Sequence, residues 1–267
     1  MEERVIIGNS NVRILGAELL VGTLAGLTRL PSPGNHEDAV IEAEMRPARD
    51  WPLDVAEHDG VHCFGRPVYA VEVEPCARRV RLLLTMLPEG DDLYWFQRDL
   101  FGVLACMGGD LMLHGSSVAT PDGGAWVFCG ASGVGKSTIC RMLVAQGLPA
   151  INDEVNWLFH DADGTLRIVN QPFWFGRAET PSLPVTRLHI LRQGAKCAFQ
   201  PPLPKSESFA RLLAGHLSID TQYGFLKERA DALRRLVEGR TIEVLEFNLD
   251  TKALLDLLWT NTPPNDS

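Results

Sequence analysis

The stretch Gly130-Ala131-Ser132-Gly133-Val134-Gly135-Lys136-Ser137-Thr138 leaves the fold less choice than any other part of this chain. Two glycines, a lysine and a serine stand at the spacing of a Walker A motif, and the flanking sequence agrees. The apolar run Ala125-Trp126-Val127-Phe128-Cys129 predicts a strand, and the residues from Lys136 to Val144 predict a helix. A strand, a glycine turn and a helix N-terminus make a phosphate cradle. Glycines let the backbone wrap closely with its N–H groups turned inward, and the helix end adds partial positive charge. Gly130, Ser132, Gly133, Val134, Gly135, Lys136, Ser137 and Thr138 are the expected phosphate-contacting residues. Lys136 would reach the β- and γ-phosphates, and the Ser137 hydroxyl would ligate Mg²⁺. The motif points to a nucleoside triphosphate, ATP with Mg²⁺, although no motif in the sequence reads the base.

Composition narrows the remaining classes. A chain of 267 residues fits one large domain or two modest ones, and its net charge of −9 argues against non-specific nucleic-acid binding. No apolar run is long enough for a transmembrane helix. The start Met1-Glu2-Glu3-Arg4 lacks the basic residues and apolar core of a signal peptide, so a cytoplasmic location is expected. Cys63, Cys76, Cys106, Cys129, Cys140 and Cys197 form no C-x-x-C pair and no zinc spacing. Three of them (Cys106, Cys129, Cys140) sit in apolar runs and read as buried thiols. Cys140, just behind the glycine loop, also has a redox reading.

The predicted fold class is α/β, a P-loop core with a small, mostly β N-terminal domain. Residues 1–92 carry short β-like runs such as Val5–Ile7, Val68–Val73 and Val80–Leu84, and a loop at Leu30–Asn35. Residues 93–262 carry the P-loop domain, and 263–267 a flexible tail. From Tyr94 to Cys106 apolar residues recur at helical spacing, with Arg98 and Asp99 on the polar side and Gly108-Gly109 as the stop. A hairpin is predicted from Leu111–Ala119 through the turn Pro121–Gly124 into the strand before the glycine loop. A short strand is predicted at Leu148–Ile151, ending in Asn152-Asp153-Glu154 and continued by Val155–Leu158, with further strands at Leu166–Val169, Thr186–Leu191 and Glu243–Phe247. Helices are predicted at Ser206–His216, Ile219–Leu236 and Thr251–Trp259.

Asp153 and Glu154 follow Lys136 by 17 and 18 residues. A three-turn helix and a short loop would set the strand ending in them beside the P-loop strand, with both carboxylates facing the phosphate crevice. Carboxylates there can hold Mg²⁺ and accept a proton from an attacking hydroxyl. The bland alternative is a strand that ends in solvent. His114-Gly115, in the preceding hairpin, has two readings as well: an imidazole that orients the carboxylate or touches phosphate, or one packed beside the sheet.

The run Leu113-His114-Gly115-Ser116-Ser117-Val118, the glycine loop, Gly147 and the pair Asp153-Glu154 together resemble the HPr kinase/phosphorylase catalytic domain, and more closely its bacterial relatives that are not themselves HPr kinases. The resemblance spans about residues 110–160 well and about 160–250 loosely. It implies that Lys136 binds phosphate and Ser137 the metal. It makes Asp153 the base that deprotonates a serine hydroxyl, with His114 paired to it, and makes Glu154 a second metal ligand. It also implies homo-oligomers. The family's paired Arg-Gly signature is not recognisable; Gly176-Arg177 is the nearest stretch, which removes the ground for expecting HPr as acceptor or a reverse phosphorylase reaction. Arg177, Arg187 and Arg192 are candidate phosphate clamps. The chain is also similar to kinases of lasso-peptide gene clusters, which phosphorylate a serine on a precursor peptide.

Three functions follow. A serine kinase would use ATP and Mg²⁺, with Asp153, His114 and Lys136 catalytic and Ser137, Asp153 and Glu154 at the metal. Its acceptor would be a peptide or small protein, with no nucleic acid or membrane involved. A nucleotide-gated regulatory protein would bind ATP with little transfer. A small-molecule kinase would use the same loop on another acceptor. No Leu-Ser-Gly-Gly-Gln signature supports a transporter ATPase.

Overall fold

The structure is a computed structural model that describes residues 2–7, 10–16, 39–45, 56–58, 61–169, 182–214 and 226–260. It is a mixed α/β fold with two sheets and, among the described residues, five α-helices. The described residues divide into two compact units: those up to 112 and 226–232 form the first, and 113–214 and 233–260 the second.

Seven strands make the first sheet: β1 (Glu2–Ile7), β2 (Ser10–Gly16), β3 (Ala39–Met45), β4 (Ala56–His58), β5 (Val61–Gly65), β6 (Tyr69–Glu74) and β7 (Arg79–Leu84). Their order is β1-β2-β3-β7-β6-β5-β4, with β2, β3 and β7 mutually parallel and the other pairs antiparallel. Alternation explains the central strands. In β7, Val80 and Leu82 are buried while Arg79 and Arg81 face solvent. The sequence did not predict β2 to β5, although β3 shows the same alternation, with buried Ile41 and Ala43 alternating with Glu42 and Glu44. The expected loop at Leu30–Asn35 lies outside the described residues.

Helix α1 (Gly90–Gly108) follows β7. Asp91 and Asp92 in its first turn suit the positive end of the helix, and Gly109 closes it at φ 75°, its N–H donating to the carbonyls of Ala105 and Cys106. The expected boundary at 92–93 falls inside α1, which belongs to the first unit. Asp99, expected on the polar side of the helix, is wholly buried. Its Oδ2 accepts from Tyr69 Oη at 2.7 Å and from Arg66 Nε at 2.9 Å, and such a pair of charge-assisted bonds offsets the cost of burying the carboxylate. Phe96 meets Tyr69 edge to face at 5.2 Å beside this network.

Eight strands make the second sheet: β8 (Leu111–Ala119), β9 (Ala125–Cys129), β10 (Ala150–Asn152), β11 (Val155–His160), β12 (Leu166–Val169), β13 (Ser182–Gln193), β14 (Ala198–Gln200) and β15 (Glu243–Phe247). The helices are α2 (Lys136–Val144), α3 (Lys205–Ala214), α4 (Leu226–Gly239) and α5 (Thr251–Thr260). All five residues of β9 are buried, as a strand in the middle of a sheet requires. It pairs antiparallel with β8 and parallel with β13, which runs parallel to β15. A core of Trp126, Phe128, Ile139, Leu143, Leu245, Leu254 and Leu258 draws on β9, α2, β15 and α5. Burying each such side chain contributes about 1.5–3 kcal/mol.

The neighbour of β9 differs from the expectation. β10 pairs with β8 and not with β9, so the strand before Asp153 lies one place further out. The hairpin strand β8 fills the position between them. Because β8 is antiparallel to both, β9 and β10 still point the same way. The C-terminal ends of β9, β10, β13 and β15 and the start of β8 therefore share one edge of the sheet.

Candidate active site

That shared edge carries the glycine loop. β9 ends at Cys129, residues 130–135 turn, and α2 starts at Lys136. Gly135 caps α2 with φ 105° and no side-chain cap, so the first N–H groups of the helix are left for an outside acceptor. A Cβ at Gly135 would stand 2.7 Å from Phe247 Cζ, so glycine is required there both by backbone angle and by space. Ser132 and Gly133 are exposed, Val134, Ser137 and Thr138 are half-buried, and Lys136 is buried at 6% exposure.

The Lys136 ammonium donates to the carbonyls of Gly130 at 3.1 Å and Ala131 at 3.0 Å, bending back over the loop. Burial lowers its pKa below the ordinary lysine value, while Cys129 and Asp153 act in the opposite sense. Its backbone carbonyl accepts from Ser116 Oγ at 2.7 Å, which fastens the start of α2 to β8.

His114 lies at the start of β8. The next residue, Gly115, is level with Cys129 of β9, and its N–H donates to the carbonyl of Glu154 at 3.0 Å. The strand thus holds the glycine loop on one side and the acidic pair on the other. A Cβ at Gly115 would stand 2.7 Å from the Phe128 carbonyl oxygen, so only glycine allows this approach. Burial lowers the pKa of His114 below its ordinary value, the nearby Lys136 charge adds to this, and Glu154 and Asp153 oppose it. The imidazole is therefore neutral at physiological pH. No hydrogen bond joins His114 to Asp153 among the described residues. They share an electrostatic neighbourhood, not a contact.

Asp153 and Glu154 form the bend between β10 and β11, both half-buried. Asp153 Oδ1 is sealed from solvent and has no hydrogen-bond partner among the described residues. A buried, unsatisfied carboxylate oxygen is costly, and such atoms concentrate where a ligand supplies the partner. Sequence reasoning missed the frame around it. Ser117 Oγ donates to Asn156 Oδ1 at 2.6 Å and accepts from the Asn152 N–H at 3.2 Å, with all three residues buried. These polar residues lock β10 and β11 to β8. Their signal was Ser and Asn at interior positions of otherwise apolar strands.

The arginines separate. Arg187 lies level with Trp126, three residues before the loop edge, and is buried between aromatic rings. Arg192 lies on the edge but is paired with Glu246, which also accepts from Gln200 at 3.1 Å. Arg177 lies outside the described residues. Cys140 is buried, and burial pushes its thiol up to about 12, which leaves it unreactive at neutral pH. Among the described residues no three His, Cys, Asp or Glu side chains cluster as a metal site, and no helix is long and apolar enough to cross a membrane.

No family model matches the chain, and no curated protein does. Among solved structures it is similar to the Hpr(Ser) kinase/phosphatase from Coxiella burnetii, at 15% identity and a TM-score of 0.31, over 56% of this chain and 93% of that one. The likeness is distant.

Proposed function

We propose that this protein is an ATP- and Mg²⁺-dependent phosphotransferase that phosphorylates a serine hydroxyl on a peptide or small protein. The observation that carries the reading is one sheet edge. It holds an uncapped helix start behind a glycine loop, a buried lysine ammonium at that loop, and a sealed carboxylate oxygen of Asp153 with no partner among the described residues. The net charge of −9 supports an acceptor other than nucleic acid.

The donor set fits both ligands. Ser137, Asp153 and Glu154 offer the hard oxygens that Mg²⁺ takes, and the two loop carbonyls now on Lys136 are replaceable by phosphate oxygens. Bound there, Mg²⁺ would neutralise charge on the β- and γ-phosphates. The residues do the rest. The N–H groups of the loop and of the α2 start orient the phosphates, and Lys136 draws the transferring charge towards itself. Asp153 takes the proton from the serine Oγ as that oxygen forms its bond to the γ-phosphorus. The bond from γ-phosphorus to the bridging oxygen breaks, and ADP leaves with the electron pair. Neutral His114 sits beside Asp153 and Lys136 as a positioning residue whose charge state sets the local field.

The test is phosphate transfer by the full chain from labelled ATP, with Mg²⁺, into serine-bearing peptides and a cell lysate, read by mass spectrometry. Phosphoserine that appears with wild type and disappears with Lys136→Ala supports the reading. ATP binding with no labelled acceptor in either sample would favour a nucleotide-gated regulator, and a labelled small molecule would favour a small-molecule kinase.

A further inference from the structure

The phosphate cradle has two sides. Lys136, His114 and Asp153 mark one, towards β8 and β10. On the other side, the ends of the parallel strands β13 and β15 stand next to the start of α2, and a cavity of about 330 Å³ opens between them. Gly135 and Thr138 form its cradle wall, Gln193 ends β13 with Gly194 after it, and Phe247 ends β15 with Leu249 just beyond. In open α/β sheets a ligand lies in the crevice beyond the carboxyl ends of the strands. We infer that this cavity receives the nucleoside of the triphosphate, and that it accepts adenine and guanine nucleotides alike. The inference rests on the phosphotransferase reading above and deepens it.

The lining decides the selectivity. Phe247 is buried with its ring edge at Gly135, and Leu249 is 76% exposed, so one apolar wall is fixed and the other is open to cover a base. Asn248, also at the cavity, is held in place by its own hydrogen bonds and keeps one Nδ2 hydrogen to offer. Its Oδ1 accepts from the Asp250 N–H at 2.9 Å and from Cys197 Sγ at 3.3 Å, and its Nδ2 donates to the Ala195 carbonyl at 2.9 Å. The Gln193 amide, the Thr138 hydroxyl and one Asn248 Nδ2 hydrogen are the side-chain polar groups open to a base, and all are neutral. Gln193 Nε2 donates to the Gly133 carbonyl at 3.3 Å, which ties this wall to the glycine loop and leaves the Gln193 oxygen as an acceptor. No carboxylate or cation lines the cavity among the described residues. Guanine's N1–H and amino group therefore meet no charged acceptor, and nothing repels adenine. A base held by apolar packing and a neutral amide is held without strong choice between purines.

The experiment is calorimetric titration of the full chain and of Leu249→Ala with ATP, GTP and inorganic tripolyphosphate, each with Mg²⁺. Leu249 is exposed, so its truncation leaves the core intact. ATP and GTP are expected to bind within about fivefold of each other, and tripolyphosphate about tenfold or more weakly. Leu249→Ala is expected to weaken both nucleotides by about threefold or more and to leave tripolyphosphate unchanged. A preference of about a hundredfold for one purine overturns the selectivity. Equal effects of the substitution on nucleotides and tripolyphosphate, or no effect on nucleotides, overturn the site while leaving the cradle standing. If tripolyphosphate and nucleotides all fail to bind the wild-type chain, the phosphotransferase reading itself falls and takes this inference with it.

Discussion

Ser116 Oγ donates a 2.7 Å hydrogen bond to the backbone carbonyl of Lys136, and both residues are buried. The bond joins two elements that approach the phosphate cradle from different sides, the hairpin strand that carries His114 and the helix whose first residue is the lysine. Removing it leaves the Lys136 carbonyl with its helical partner alone and frees the start of α2 to shift.

Ser116→Ala is expected to cost about 1 kcal/mol of stability. It is also expected to weaken ATP binding several-fold, because the N–H groups of the helix start lose their fixed aim. Thermal unfolding and nucleotide titration measure the two effects separately. An unchanged affinity would show that this bond does not position the helix start.

His189 carries a prediction about pH. It is 1% exposed on β13, and burial, with the Arg187 and Arg240 charges adding to it, holds its pKa at about 3. Glu243 Oε2 lies 3.7 Å from Nδ1 but is 41% exposed, so solvent weakens the offset it offers. The sign follows from linkage. The folded pKa lies below the unfolded value near 6.5, so the unfolded chain binds the proton first. Stability is full above about pH 6.5 and declines as pH falls from there towards 3. His189→Phe, which keeps a ring between Phe128 and Phe199, removes this term. Chemical denaturation at pH 7 and pH 5 is expected to show wild type losing about 2 kcal/mol more than the variant. Equal losses would mean that His189 is solvated or paired.

His114 makes a different prediction, about rate. Its pKa lies below the ordinary value, chiefly through burial, so it is neutral when the enzyme works and charges only as pH falls. Transfer that depends on the neutral ring therefore declines on the acid side, and only at a pH below the ordinary imidazole range. His114→Gln is expected to lower kcat by about tenfold, with little change in the KM for ATP, and to flatten that acid limb. A variant with wild-type kcat and an unaltered pH profile would make His114 a packing residue.

The glycine loop was legible because its chemistry demands a fixed spacing, and β9 and α2 follow from the apolar pattern on either side. The strands Leu166–Val169 and Glu243–Phe247 were legible through their β-branched and apolar residues. Strand order was not legible. β10 was expected beside β9, and nothing in a three-residue strand says that β8 will stand between them. Asp99 was misread for a related reason, since its neighbours on the helix give no sign of Arg66 and Tyr69, 33 and 30 residues away. The Ser117–Asn152–Asn156 frame was invisible because its partners are 35 and 39 residues from Ser117 and meet only after folding. Local pattern fixed the elements, and long-range polar pairing set the arrangement around Asp153.

Asp153→Asn tests the central claim most directly, because it keeps the shape of the side chain and removes its capacity to take a proton. ATP affinity and transfer to the acceptor serine should be measured on the same preparation. The account predicts affinity within about threefold of wild type and transfer lowered by about a hundredfold or more. Transfer at the wild-type rate, with binding intact, would contradict the role of Asp153 as the base.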